Sequence, residues 1–87
     1  MAKYKLVFKK SIAKDLRNIP KTDVKRILRK IDALAIDPRG EGCTKLSGKD
    51  LYRVRQGLYR IVYEIRDKEL IISVIKVSHR SDVYKGI

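Results

Sequence analysis

A chain of 87 residues with 44% apolar content is long enough for one small domain with a modest core, and too apolar for wholesale disorder. Its 22 Lys and Arg against 10 Asp and Glu leave a formal charge of +12, which favours an anionic partner: nucleic acid, an acidic protein or an anionic membrane surface. No run approaches a membrane span, and the lone Cys43 excludes an internal disulfide and, with a single His, a Cys/His metal site. The cations are spread evenly, 12 in residues 1–43 and 10 in residues 44–87, so no basic tail accounts for the charge. MAKYKLVFKK is too short and too charged for a signal peptide, and a cytoplasmic protein is expected.

Tyr4 to Phe8 alternates lysine with apolar residues and reads as a short strand. Ser11 is placed to cap a helix whose Ile12, Leu16 and Ile19 share one face. Pro20 suits the first turn of a second helix, with Val24, Ile27, Leu28, Ile31, Leu34 and Ala35 as its apolar stripe. Lys21, Lys25, Arg26, Arg29 and Lys30 lie mostly on the other side and read as a solvated face. Asp37-Pro38-Arg39-Gly40 stops this helix, and the short link between the two predicts an antiparallel helical hairpin.

RGEGCTKLSGKD, residues 39 to 50, reads as a loop. Three strands are expected after it, at about 51–56, 58–66 and 69–77, with tight turns at Gln56-Gly57 and Asp67-Lys68. LIISVIKV is apolar on both faces and belongs inside the sheet. The predicted fold is α+β: an N-terminal strand, a helical hairpin, then a three-stranded antiparallel meander, forming one sheet with the helices on one face. Residues 1–87 make a single domain, with no linker or internal repeat.

LYRVRQGLYRIVYEI places three arginines in a predicted sheet. Alternation sends Tyr52, Val54, Tyr59, Ile61, Tyr63 and Ile65 to the core face. It sends Arg53, Arg55 and Arg60 to the other, with Leu51, Leu58, Val62 and Glu64. A Gln56-Gly57 turn would set Arg53 directly opposite Arg60 and Arg55 opposite Leu58. Like charges across a strand pair destabilise a sheet by a few tenths to about 1 kcal/mol, so stability gives no reason for the pair. An anion held between guanidinium groups does, since they grip phosphate through paired donors. The plainer alternative is a solvated polar face with Glu64 as counter-charge.

YRVRQGLYRIVYEI followed by VIKVSHRSDVY, with the IDALAIDPRG helix ending and the KLSG step, resembles the RelE/ParE superfamily of toxin–antitoxin toxins over essentially the whole chain. The Y-R-x-R core and terminal H-R-x-x-V-Y resemble the RelE branch of mRNA interferases more than the gyrase-poisoning ParE branch. The resemblance implies a ribosome-dependent endoribonuclease that cuts mRNA in the ribosomal A site. In the implied reaction the 2′-hydroxyl would attack the adjacent phosphate, with no metal and no cofactor. It implies as partners the messenger, the ribosome with its rRNA, and a RelB-like antitoxin, expected to be acidic. No membrane or small-molecule partner is expected.

Site roles follow from the same resemblance. Arg60 would bind the scissile phosphate, and Arg80 would neutralise or protonate the leaving 5′-oxygen. Tyr84 would stack on a base of the messenger. Arg53, His79 and Lys45 would contact RNA. Arg55 stands where relatives have a lysine proposed as general base, yet arginine holds its proton too firmly for that task. Catalysis would then rest on charge stabilisation and positioning, or His79 would carry the proton. The competing readings are a ParE-like gyrase inhibitor and a non-catalytic nucleic-acid-binding module on the same fold.

Overall fold

The computed structural model describes residues 3–46 and 50–79. In chain order the elements are β1 (Lys5–Phe8), α1 (Ser11–Arg17), α2 (Lys21–Ile36), β2 (Thr44–Lys45), β3 (Leu51–Gln56), β4 (Tyr59–Arg66) and β5 (Ile71–His79). The strands form one sheet in the order β1-β5-β4-β3-β2. β5 lies between β1, which it pairs in parallel, and β4, which it pairs antiparallel, so it is an interior strand as expected. α1 lies against β5, while α2 reaches β1 and β3. Two-residue β2 is an edge strand in the stretch expected to be loop.

Side-chain alternation builds the core. Tyr52, Val54, Ile61, Tyr63, Ile65, Ile72, Val74 and Val77 face the helices and meet Ile12, Ile27, Ile31 and Leu34. The expected stripe of α2 holds with one correction: Leu28 is 38% exposed and lies at the edge of the buried face. Ser11 is the first residue of α1 rather than its cap; Lys10 takes the cap position and makes no side-chain capping bond. Pro20 takes the cap position of α2, and its carbonyl accepts from Asp23 and Val24 N–H at 3.0 Å.

Two features of the sheet depart from the expected pattern. Gly57, with φ +61°, is the first central residue of the β3–β4 turn, where glycine carries the left-handed conformation without steric cost. The turn is therefore Gly57-Leu58, and the register shifts by two residues. Arg55 faces Arg60, Gln56 faces Tyr59, and Arg53 faces Val62. The face assignment survives, because a shift of two preserves alternation. The next turn is longer than the expected Asp67-Lys68 pair. Residues 67 to 70 connect Arg66 to Ile71, with Leu70 at φ +55°.

The second departure is a bulge. Val62 pairs Lys76 while Tyr63 pairs Val74, leaving Ile75 as an extra residue in β5. Beyond it the alternation of β5 inverts. Val77 joins the core, and Lys76 and Ser78 go to the face away from the helices. Asp15 of α1 accepts the Val77 N–H at 3.3 Å, which ties the helix to the bulged strand.

Loop 37–46 is anchored by tyrosines rather than by apolar bulk. Tyr63 donates to the Pro38 carbonyl at 2.7 Å and stacks on Tyr52 at 5.9 Å between ring centroids. Burial, and then the Cys43 thiol beside it, push the Tyr63 hydroxyl well above the usual phenol range. Arg39 donates to Asp67 through two nitrogens at 3.0 and 2.8 Å, and through Nε to the Tyr52 hydroxyl at 3.1 Å. Tyr4 donates to the same Asp67 at 2.8 Å. This cluster joins the loop after α2 to the β4–β5 turn and to the start of β1.

Candidate nucleic-acid interface

The candidate site is the sheet face away from the helices, at the end near the β3–β4 turn. One rung sets Arg55, Arg60 and Ser78 side by side across β3, β4 and β5. The next sets Arg53, Val62 and Lys76. Directly opposed Cβ atoms in an antiparallel pair lie about 4.5–5.5 Å apart, and diagonal ones about 7–8 Å apart. Arg60 is therefore central, with Arg55 beside it and Arg53 and Lys76 on its diagonals. Tyr59 and Ile61, anchored towards the helices, hold the Arg60 backbone in place.

These cations have no partners among the described residues. None of Arg53, Arg55, Arg60 and Lys76 makes an ion pair or side-chain hydrogen bond there. Glu64, the expected counter-charge, is engaged elsewhere: Arg66 donates to it at 2.8 Å. Arg60 is half-buried, and its Nε is the one buried side-chain nitrogen or oxygen without a hydrogen-bond partner among the described residues. Buried polar atoms are nearly always satisfied, so an unpaired guanidinium nitrogen beside a second arginine is a candidate position for an acceptor from outside the chain. Arg55, Arg60 and the turn residues Gly57 and Leu58 line a small depression of about 60 Å³.

The other site candidates separate into three groups. Arg53 lies on the cationic face as expected, but opposite Val62 rather than Arg60. His79 does not join the arginines. The bulge turns it to the helix face, opposite Tyr59, where the two rings meet edge to face at 5.4 Å. Tyr59 in turn donates to Asp23 of α2 at 3.3 Å, and burial followed by the Asp23 charge push its hydroxyl upward. Lys45 is exposed on edge strand β2 and pairs Tyr52, so alternation gives it the helix side as well. Arg80 and Tyr84 lie outside the described residues. Lys76 is the cation that sequence reasoning missed. Its place in an apolar alternation hid it, and only the bulge brings it onto the site face.

The class is a small α+β protein with helices on one face of its sheet and, on the open face, arginines without partners among the described residues. The comparisons agree with the architecture. The model of the family described as ParE toxin of type II toxin-antitoxin system matches residues 6–84. A Methanocaldococcus jannaschii protein that carries the name toxin RelE1 is 31% identical, over 97% of this chain and 98% of its own. The structure of the archaeal RelE–RelB complex from Pyrococcus horikoshii superposes with a TM-score of 0.77 at 30% identity, covering 92% of this chain and 97% of that one. The isolated Escherichia coli RelE toxin gives a TM-score of 0.77 at 28% identity, covering 94% and 92%. The chain belongs to the RelE/ParE superfamily of type II toxin–antitoxin toxins, and is RelE-like.

Proposed function

We propose that this toxin is a ribosome-dependent endoribonuclease that cuts messenger RNA in the ribosomal A site. The observation that carries the reading is the opposed pair Arg55 and Arg60, with the Arg60 Nε unpaired, on a face where Glu64 is already taken. In the reaction the 2′-oxygen attacks the adjacent phosphorus and loses its proton. The bond to the 5′-oxygen breaks, and that oxygen takes up a proton. The products are a 2′,3′-cyclic phosphate end and a 5′-hydroxyl end. Arg60 binds the scissile phosphate and stabilises the charge that develops on it, with Arg55 and Arg53 beside it. Arg80 neutralises the leaving oxygen, and Tyr84 stacks on a base. No metal takes part in this reading.

Arginines cannot serve as bases, and His79 belongs to the opposite face by strand alternation. The chemistry then rests on charge stabilisation and on a substrate held ready for in-line attack. The ribosome supplies that ordering, and the +12 charge steers the protein to it with strong salt dependence. RelE-like neighbours are solved in complex with RelB, which supports a RelB-like antitoxin as the partner that neutralises this chain. A ParE-like action on DNA gyrase is the second reading, favoured by the description of the matching family model.

Translation in vitro with purified protein, followed by primer extension, tests the proposal. Wild type should give mapped cuts in translated messages, and Arg60→Ala should give none at the same concentration. Uncut messages together with inhibited supercoiling by gyrase would move the assignment to the second reading.

A further inference from the structure

Three depressions follow one another around the β3–β4 turn. The first is the small one beside Arg55 and Arg60. It shares Gly57, Leu58 and Tyr59 with a second, of about 240 Å³, on the helix side of the turn. The second shares Arg26 and Gln56 with a third, along α2, where Arg29 and Lys30 complete the lining. The chain of depressions thus leads from the cationic sheet face, over the turn, onto the basic face of α2.

The charge along this path is nearly all of one sign. Arg26, Arg29 and Lys30 stand at the i, i+3, i+4 spacing that puts them on one helical face, spanning on the order of 6 Å along the axis. None of the three makes an ion pair among the described residues. The one carboxylate on the path, Asp23, already accepts the Tyr59 hydroxyl. Leu58, 56% exposed at the turn, adds an apolar surface midway along the path. A path that bends around a turn suits a flexible strand better than a stiff duplex, and unpaired cations beside an apolar surface suit phosphates and an unstacked base.

We propose that this track is a second part of the nucleic-acid interface: it binds the single-stranded RNA that continues from the phosphate held at Arg55 and Arg60, with Arg26, Arg29 and Lys30 on its backbone and Leu58 against a base. The inference deepens the nuclease reading and rests on it for the strand's entry point. An acidic protein partner on the same face of α2 is the alternative that the test rules in or out.

The test measures anisotropy of fluorescein-labelled RNAs of 3 and 12 nucleotides, each carrying a 2′-O-methyl sugar at every position to prevent cutting. The variants are Arg26→Gln/Arg29→Gln/Lys30→Gln and, as a control of equal charge change far from the track, Lys3→Gln/Lys5→Gln/Lys9→Gln. The α2 triple variant should bind the 12-mer about tenfold or more weakly than wild type and bind the 3-mer equally well. Its salt slope for the 12-mer should fall by about 1–2, at roughly 0.7 for each single-strand phosphate that the variant no longer neutralises. The control triple should lose much less. Equal losses by both triples, equal losses on both RNAs, or no loss at all would each overturn the track. No loss on RNA together with weakened capture of a poly-glutamate peptide would overturn it in favour of the acidic protein. Message cutting during translation is scored separately. Its absence in wild type refutes the nuclease reading, whereas a flat response to RNA length refutes the track.

Discussion

Arg39 and Arg60 are the same residue in opposite circumstances. Arg39 directs donors inside the chain: two to Asp67 and one to the Tyr52 hydroxyl, with its Cζ 5.4 Å from the centroid of the Tyr52 ring. Asp67 and then Tyr52 make its proton harder to remove, while Arg39 and then Tyr4 hold the Asp67 carboxyl below its ordinary range. Arg60 faces Arg55 instead, with its Nε unpaired. One arginine closes a loop onto a sheet; the other makes no side-chain hydrogen bond or ion pair among the described residues. The lesson is that charge alone does not single out a candidate anion site in a chain of +12, whereas unpaired donors set against a like charge do.

The contrast is sharpest at adjacent residues, Arg60 and Ile61, which point to opposite faces of β4. Ile61→Ala removes a fully buried side chain and should lower unfolding free energy by about 2–5 kcal/mol in urea melts. Arg60→Ala should leave the melt nearly unchanged and reduce message cutting by about 10²–10³-fold. A large loss of stability in Arg60→Ala would assign that arginine to the fold. Tyr63→Phe tests the helix face, since it leaves the Pro38 carbonyl without its donor. The expected loss is about 1–3 kcal/mol, read by the same melts, with cutting retained.

Smaller effects separate the faces further. Arg55→Thr relieves the like-charge pair and should raise stability by a few tenths to about 1 kcal/mol while weakening RNA binding. A destabilised Arg55→Thr would show that the pair is held by the fold itself. The smallest effect concerns pH. The folded Asp67 carboxyl is held below its unfolded value of about 3.9, so its contribution is present above that pH and is lost as the pH falls through the folded value. Asp67→Asn should therefore melt below wild type near neutrality and approach it in acid. A constant difference across the range would remove the ion pair from the account.

The sequence disclosed faces better than registers. Period-two alternation in LYRVRQGLYRIVYEI placed Arg53, Arg55 and Arg60 and every core residue of β3 and β4 on the correct side. It missed the partner of Arg60 because the left-handed residue of the turn is Gly57, two plausible turns differ by one residue, and both preserve the faces. The apolar run of β5 gave no sign of the extra Ile75, since a bulge within a strand that is apolar at successive positions leaves no break in hydropathy. That one residue moved His79 to the helix face and Lys76 to the site. The Arg39–Asp67 pair spans 28 positions with no local signal, and so was invisible in the chain.

The central claim is that the guanidinium groups of the open face serve an external anion and not the fold. The most direct measurement is the double variant Arg55→Gln/Arg60→Gln, melted and assayed for message cutting in the same preparation. The account predicts a melting temperature equal to or above that of wild type together with no detectable cuts. Cutting at the wild-type rate, or a protein that no longer folds, would contradict it.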